Sequence, residues 1–97
     1  MKVKNLNGSS IFAKPTCKCD DWLDHWSNNK GVKPIYCRAC SKKTTDLVGG
    51  HVIKVNSYDM DRYIVPICRE CNATRDKIFE VDEKDLVSAN CSKCKNK

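Results

Sequence analysis

Eight cysteines in four close pairs constrain this chain more than anything else in it: Cys17/Cys19, Cys37/Cys40, Cys68/Cys71 and Cys91/Cys94. Three of the pairs have C-x-x-C spacing, which lets one tight turn present two sulfurs to a single ion. A tetrahedral zinc ion takes four such ligands, so four pairs predict two zinc sites. Disulfides are the competing use of cysteine. The opening residues, Met1-Lys2-Val3-Lys4-Asn5-Leu6-Asn7, carry no apolar stretch of the secretory kind, and no segment has the ~20 apolar residues of a membrane span. A cytoplasmic, reducing setting is therefore expected, and there paired C-x-x-C spacing points to metal rather than bridges. A thioredoxin-like redox use is disfavoured because no βαβ pattern surrounds the pairs.

Composition explains why metal would be needed. Leu, Ile, Val and Phe together supply 20 of 97 residues, close to the level at which a chain cannot bury enough apolar surface to order itself. A chain this short and polar usually needs metal, disulfides or a partner. The formal charge of +6 invites a nucleic-acid partner. It also treats cysteine as neutral, whereas zinc ligands are thiolates. Each four-cysteine site would bring two positive and four negative charges, leaving the loaded chain near +2. The distribution of charge is more informative. Residues 30–43 hold Lys30, Lys33, Arg38, Lys42 and Lys43 and no acid, whereas Asp76, Glu80, Asp82, Glu83 and Asp85 form an acidic run.

Along the chain, residues 1–16 suit a short hairpin or extended arm around a Gly8-Ser9-Ser10 break. Residues 20–31 predict a short helix: acids lie in the first turn, Trp22 and Trp26 are i,i+4 neighbours, and Gly31 supplies a stop. The tryptophans are read as packing this helix onto the fold, with base stacking as the functional alternative. His25 could be a zinc ligand in place of a cysteine, but because eight cysteines already fill two sites it is read as a hydrogen-bonding group near the second site or a surface residue. Leu47–Val55 is a strand candidate interrupted by Gly49-Gly50, and Arg62–Ile67 is its returning partner, with Pro66 restricting it to an edge or a strand end. Cys71–Phe79 is expected to be a short helix and Val81–Val87 a further extended segment.

A knuckle at Cys37/Cys40, a hairpin, and two ligands at the start of a helix make a treble-clef arrangement. The expected fold is thus a small, zinc-stabilised α+β domain, with Cys37, Cys40, Cys68 and Cys71 around one ion. Cys17, Cys19, Cys91 and Cys94 would form a second site tying the termini together. An interleaved cross-brace, pairing first with third and second with fourth, stays open as the alternative.

Residues 37–79 resemble the HNH-type (ββα-metal) nuclease superfamily. The resemblance rests on Cys37-x-x-Cys40, then Gly49-Gly50-His51-Val52, then Ile64-Val65-Pro66-Ile67-Cys68-x-x-Cys71-Asn72. It implies one domain over 1–97: an arm and tryptophan helix at 1–31, the HNH-like core at 37–79, and a C-terminal segment at 80–97. In active members the strand histidine is the general base and a separate divalent ion holds the phosphate. His51 falls at the base position and Asn72 at a metal-binding position, with Mg²⁺ or a similar ion as the implied cofactor. Gly50 stands where such members carry an Asp or His. The orienting Asn would fall near Tyr63, and Asp46, Asp59 and Asp61 are the nearby carboxylates.

Three functions follow as expectations. The first is a non-catalytic module binding DNA or RNA, with phosphate contacts from Lys30, Lys33, Arg38, Lys42, Lys43, Arg69 and Arg75. The second is a metal-dependent endonuclease using His51 and Asn72. The third is a protein-binding adaptor. The chain is expected to be a monomer that does not engage a membrane.

Overall fold

A computed structural model describes residues 1–6 and 15–94. The Gly8-Ser9-Ser10 break of the expected N-terminal hairpin and the lysine-bearing residues 95–97 lie outside the described residues. The chain runs through β1 (Lys2–Asn5), α1 (Trp22–Lys30), β2 (Leu47–Lys54), β3 (Tyr63–Cys68), α2 (Arg69–Ala73), β4 (Ile78–Glu80) and β5 (Val87–Ser88). The five strands form one sheet in the order β4-β1-β2-β3-β5, with every pairing antiparallel. Among the described residues no helix is long and apolar enough to cross a membrane.

Strand alternation divides the core between the two faces of this sheet. On one face Val3, Val52, Val65, Ile67 and Phe79 pack together beside Cys68 and Cys71. On the other, Trp26 of α1 covers Ile64 and Val87. The β2–β3 hairpin pairs six residues of each strand, from Leu47↔Cys68 to Val52↔Tyr63, and it is the rigid element on which both candidate sites are hung.

Helix α1 forms where its end signals predict. The Asp21 carboxylate accepts from the Asp24 amide at 2.8 Å, and Gly31, at φ 76°, donates its N–H to the Ser27 carbonyl, an αL stop that glycine enters without steric penalty. The Gly49 interruption of β2 also has a physical role. A Cβ there would lie 2.5 Å from the carbonyl carbon of Trp22 and 2.6 Å from the Leu23 nitrogen. The first turn of α1 therefore rests directly on the strand backbone, and only glycine permits that approach.

Four expectations need correction. Residues 2–5 are not a detached arm; β1 lies inside the sheet between β4 and β2. The helix expected over Cys71–Phe79 is only Arg69–Ala73. The Asn5 side-chain amide donates to the carbonyls of Cys71, Asn72 and Thr74 at 3.0–3.2 Å. Those carbonyls are thus taken up from the side by β1, and residues 78–80 pair with β1 as β4. The segment Val81–Val87 is a single helical turn at Glu83–Asp85 followed by the short β5. Pro66 lies inside β3 rather than on an edge strand, yet its position keeps the proline rule. β5 pairs only with Tyr63 and Ile64, and the Pro66 carbonyl instead accepts the Arg38 N–H of the knuckle at 2.9 Å.

Candidate metal centres and the His51 cleft

Cys37, Cys40, Cys68 and Cys71 bring one sulfur each to within 4.8 Å of one another, the sequential grouping rather than the cross-brace. Backbone builds this cluster. The Cys37 N–H donates to the Lys42 carbonyl and the Ser41 N–H to the Cys37 carbonyl, both at 2.8 Å. Ser41 takes φ 65° to close the turn, and Tyr36 and Lys43 bridge across its base. The Ala39 and Cys40 amides point at the Cys37 sulfur at 3.3 and 3.4 Å. Burial pushes the Cys37 thiol up, but the backbone amides of Cys68, Cys40 and Ala39 outweigh it and bring the thiol down to about 7. That is the charge state a metal ligand needs. Cys68 ends β3 and Cys71 sits in α2, so the hairpin delivers the second pair of sulfurs.

The second cluster differs from the expected four cysteines. The four groups lying within 4.8 Å of one another are Cys17, Cys19, His25 and Cys94. His25 is fully buried. Its Nε2 lies 2.7 Å from the Ser88 carbonyl of β5, and since a carbonyl only accepts, Nε2 carries the proton. The lone pair is then on Nδ1, which faces the sulfurs of Cys17 at 3.3 Å and Cys19 at 3.9 Å. This is the tautomer-fixing arrangement of metal-bound histidines. One helix face supplies the rest of the shell. Asn28 donates to the Cys19 sulfur at 3.4 Å and Asn29 to the Cys94 sulfur at 3.3 Å, so residues 25, 28 and 29 meet the cluster together at i, i+3 and i+4. Cys91 stands outside the four, with its sulfur 2.8 Å from that of Cys17.

Tetrahedral thiolates about 2.3 Å from a zinc ion lie about 3.8 Å apart. The Cys40–Cys68 separation is 3.9 Å, Cys19–Cys94 is 3.6 Å and Cys17–Cys19 is 3.5 Å. Both donor sets suit a metal ion of the zinc type.

His51 and Asn72 are not brought together. The His51 ring packs edge-on against Trp22 of α1, with centroids 4.9 Å apart. Gly50, one residue earlier, faces the opposite side of the sheet, where a Cβ would lie 3.6 Å from the Asn72 Oδ1 and 2.5 Å from the Ile67 side chain. The two candidate catalytic groups thus belong to opposite faces. Burial, with a smaller effect from the Arg62 charge, lowers the His51 pKa to about 4, so its imidazole is neutral at cellular pH. Of the nearby carboxylates, Asp46 pairs with Arg69 at 2.6 Å. Asp59 holds Lys54 at 3.0 Å and the Tyr63 hydroxyl at 2.5 Å. Asp61 alone of the three lines the cleft beside His51.

That cleft has a volume of about 410 Å³ and is walled by Trp22, His51, Met60, Asp61, Arg62 and Asn90 among others. Arg62 went unnoticed in the sequence, where nothing marks it from other surface cations; only the hairpin register sets it near His51.

The seven cationic candidates scatter. Arg38 is a packing residue, its side chain 11% exposed and paired with Asp85 at 3.4 Å. Its guanidinium lies over Tyr36 at 3.9 Å and Trp26 at 5.3 Å. Lys33 is exposed but shares a cleft with Asp20, Asp21 and Asp24. Lys30 is half-buried, and Arg69 is exposed in its pair with Asp46. Lys42, Lys43 and Arg75 are exposed, and among the described residues Lys42 and Lys43 enter no ion pair within 4 Å. Comparison with protein-family models, curated proteins and solved structures finds no match to this chain.

Proposed function

We propose that this chain is a zinc-stabilised, treble-clef module of HNH-like ancestry that binds nucleic acid without cutting it. The observation that carries the reading is the cleft over the β2–β3 hairpin. An indole, a neutral imidazole, a guanidinium, a carboxamide and the Asp61 carboxylate converge there in about 410 Å³. Aromatic and amide groups suit an unstacked base, and Arg62 suits the phosphate beside it. Lys42 and Lys43 on the knuckle extend the positive surface. With His25 in place of Cys91 the second site carries three thiolates rather than four, so the loaded chain is nearer +3 than +2, which helps attract a polyanion. Placement of Asn72 across the sheet from His51 argues against phosphodiester cleavage, because the base and the ion that holds the scissile phosphate must meet in one site.

The test is fluorescence anisotropy with single-stranded and duplex oligonucleotides at rising salt, beside plasmid nicking with Mg²⁺ or Mn²⁺. Expected are affinity that falls steeply with salt, weaker binding by Arg62→Ala and by Lys42→Ala/Lys43→Ala, and no nicking. Salt-insensitive binding, or none, overturns the binding reading. Nicking that disappears in His51→Ala overturns the non-catalytic one and makes the cleft an active site.

A further inference from the structure

Five metal-ligating side chains gather at the second cluster, one more than a tetrahedral ion takes. Four are the mutually close set Cys17, Cys19, His25 and Cys94; the fifth is Cys91. We propose that Cys17 and Cys91 are an oxidisable thiol pair at the open edge of this site, which a hydroperoxide converts to a disulfide.

Three observations carry this. The Cys17–Cys91 sulfur separation of 2.8 Å is shorter than the 3.5, 3.6 and 3.9 Å of Cys17–Cys19, Cys19–Cys94 and Cys40–Cys68. Two thiols this close are within reach of a disulfide. Exposure is unequal within the cluster: Cys19, His25 and Cys94 are buried, whereas Cys17 and Cys91 are half-buried. Finally, these two line a cleft of about 380 Å³ with Thr16, Lys18 and Ser92, so a small oxidant reaches them and not the other three.

The chemistry closes on two electrons. The Cys91 sulfur attacks one oxygen of the hydroperoxide, the O–O bond breaks, and the departing oxygen leaves protonated as water or alcohol. Cys91 is then a sulfenic acid. The Cys17 sulfur attacks it, the S–S bond forms, the S–O bond breaks, and the second oxygen leaves as water. Two thiols are oxidised and one peroxide is reduced. Cys19, His25 and Cys94 remain as donors after Cys17 is withdrawn, so the site falls from four protein ligands to three and holds its ion more weakly. The knuckle cluster has no fifth thiol, and its exposed member is Cys40.

The experiment uses the full zinc-loaded chain and hydrogen peroxide in slight excess. Non-reducing peptide mapping follows the linkages, and a chromophoric chelator follows released metal. Expected are a first linkage between Cys17 and Cys91, loss of one zinc of two, and recovery of both after reduction with a dithiol. Cys91→Ser is expected to keep both ions, because His25 completes the site, and to release zinc about tenfold more slowly under peroxide. A first linkage of Cys17–Cys19 or Cys19–Cys94 overturns the proposal, as does a Cys91→Ser chain that folds but loads a single ion. Alkylation of the unmodified loaded chain decides the matter even if the variant does not fold. Cys91 reacting ahead of the other cysteines supports the pair, and Cys91 protected as strongly as Cys19 and Cys94 removes its basis.

Discussion

The two candidate metal clusters of this protein are built by opposite means. At Cys37/Cys40/Cys68/Cys71 the main chain does the positioning: a turn with N–H groups aimed at sulfur, and a paired hairpin that returns the chain to the same point. At Cys17/Cys19/His25/Cys94 the side chains of α1 do it. That helix brings the imidazole and two carboxamides to sulfurs from segments far apart in the chain. The first cluster depends on local backbone geometry, the second on where a helix is docked. One should fail only with the hairpin; the other should fail whenever α1 shifts.

The largest expected effect comes from the first cluster. Cys37→Ser should leave the chain largely unfolded, since a structural zinc contributes on the order of 10 kcal/mol to folding and the apolar core is small. Loss of amide dispersion in a ¹H–¹⁵N spectrum is the readout, and a native-like spectrum with both ions retained would remove the contrast between the sites. His25→Ala should do less. It should lose one ion of two and melt α1 and the segment around Cys94, while the β2–β3 hairpin keeps its hydrogen-exchange protection. Uniform loss of protection would show that the clusters fold as one unit.

Gly49→Ala sharpens the comparison from the other side, because it touches neither cluster. Its added Cβ would meet the α1 backbone at 2.5 Å, and the overpacking should cost about 1–3 kcal/mol in denaturant unfolding. The displaced helix should also loosen metal at the second cluster and leave the knuckle unaffected, a difference that metal-competition titrations resolve.

The smallest effect is that of pH on His51. Its pKa is lowered from 6.5 to about 4 by burial first and by the neighbouring Arg62 charge second. The neutral form is thus favoured by the fold, and the unfolded chain binds the extra proton first. Its contribution to stability is complete above about pH 6.5 and declines as pH falls toward 4. The imidazole ¹⁵N shifts should still report a neutral ring at pH 5.5. A ring half-protonated near pH 6.5 would mean that α1 does not cover it.

Much of the knuckle site was legible in the residues alone. C-x-x-C spacing reports a turn of fixed shape, and the segment between Cys40 and Cys68 has the length and alternation of one hairpin, so the ligands were legible and the sequential grouping was favoured, with the cross-brace left for the structure to exclude. His25 ranks behind the cysteines as a ligand in the sequence, because eight cysteines complete both sites by count. Its helix face, shared with Asn28 and Asn29, was a signal present in the sequence. The placement of β1 was not legible: four residues with only Val3 and Asn5 facing inward read as an arm. Nothing local shows that Asn5 will take up the α2 carbonyls.

By itself the sequence determined that the chain would be organised by two clustered ligand sets, that a tryptophan helix would run from near Asp21 to Gly31, and that Gly49 and His51 would lie on a strand paired with 63–68. These follow from spacing, capping and alternation, which act over a few residues. Only the tertiary structure decided that His25 joins the sulfurs while Cys91 stands beside them, that Arg38 is packed between aromatic rings, and that His51 and Asn72 face opposite sides of the sheet. Those outcomes depend on how α1 and the strands dock across long stretches of chain, where burial and side-chain fit select one arrangement among several that the local pattern allows.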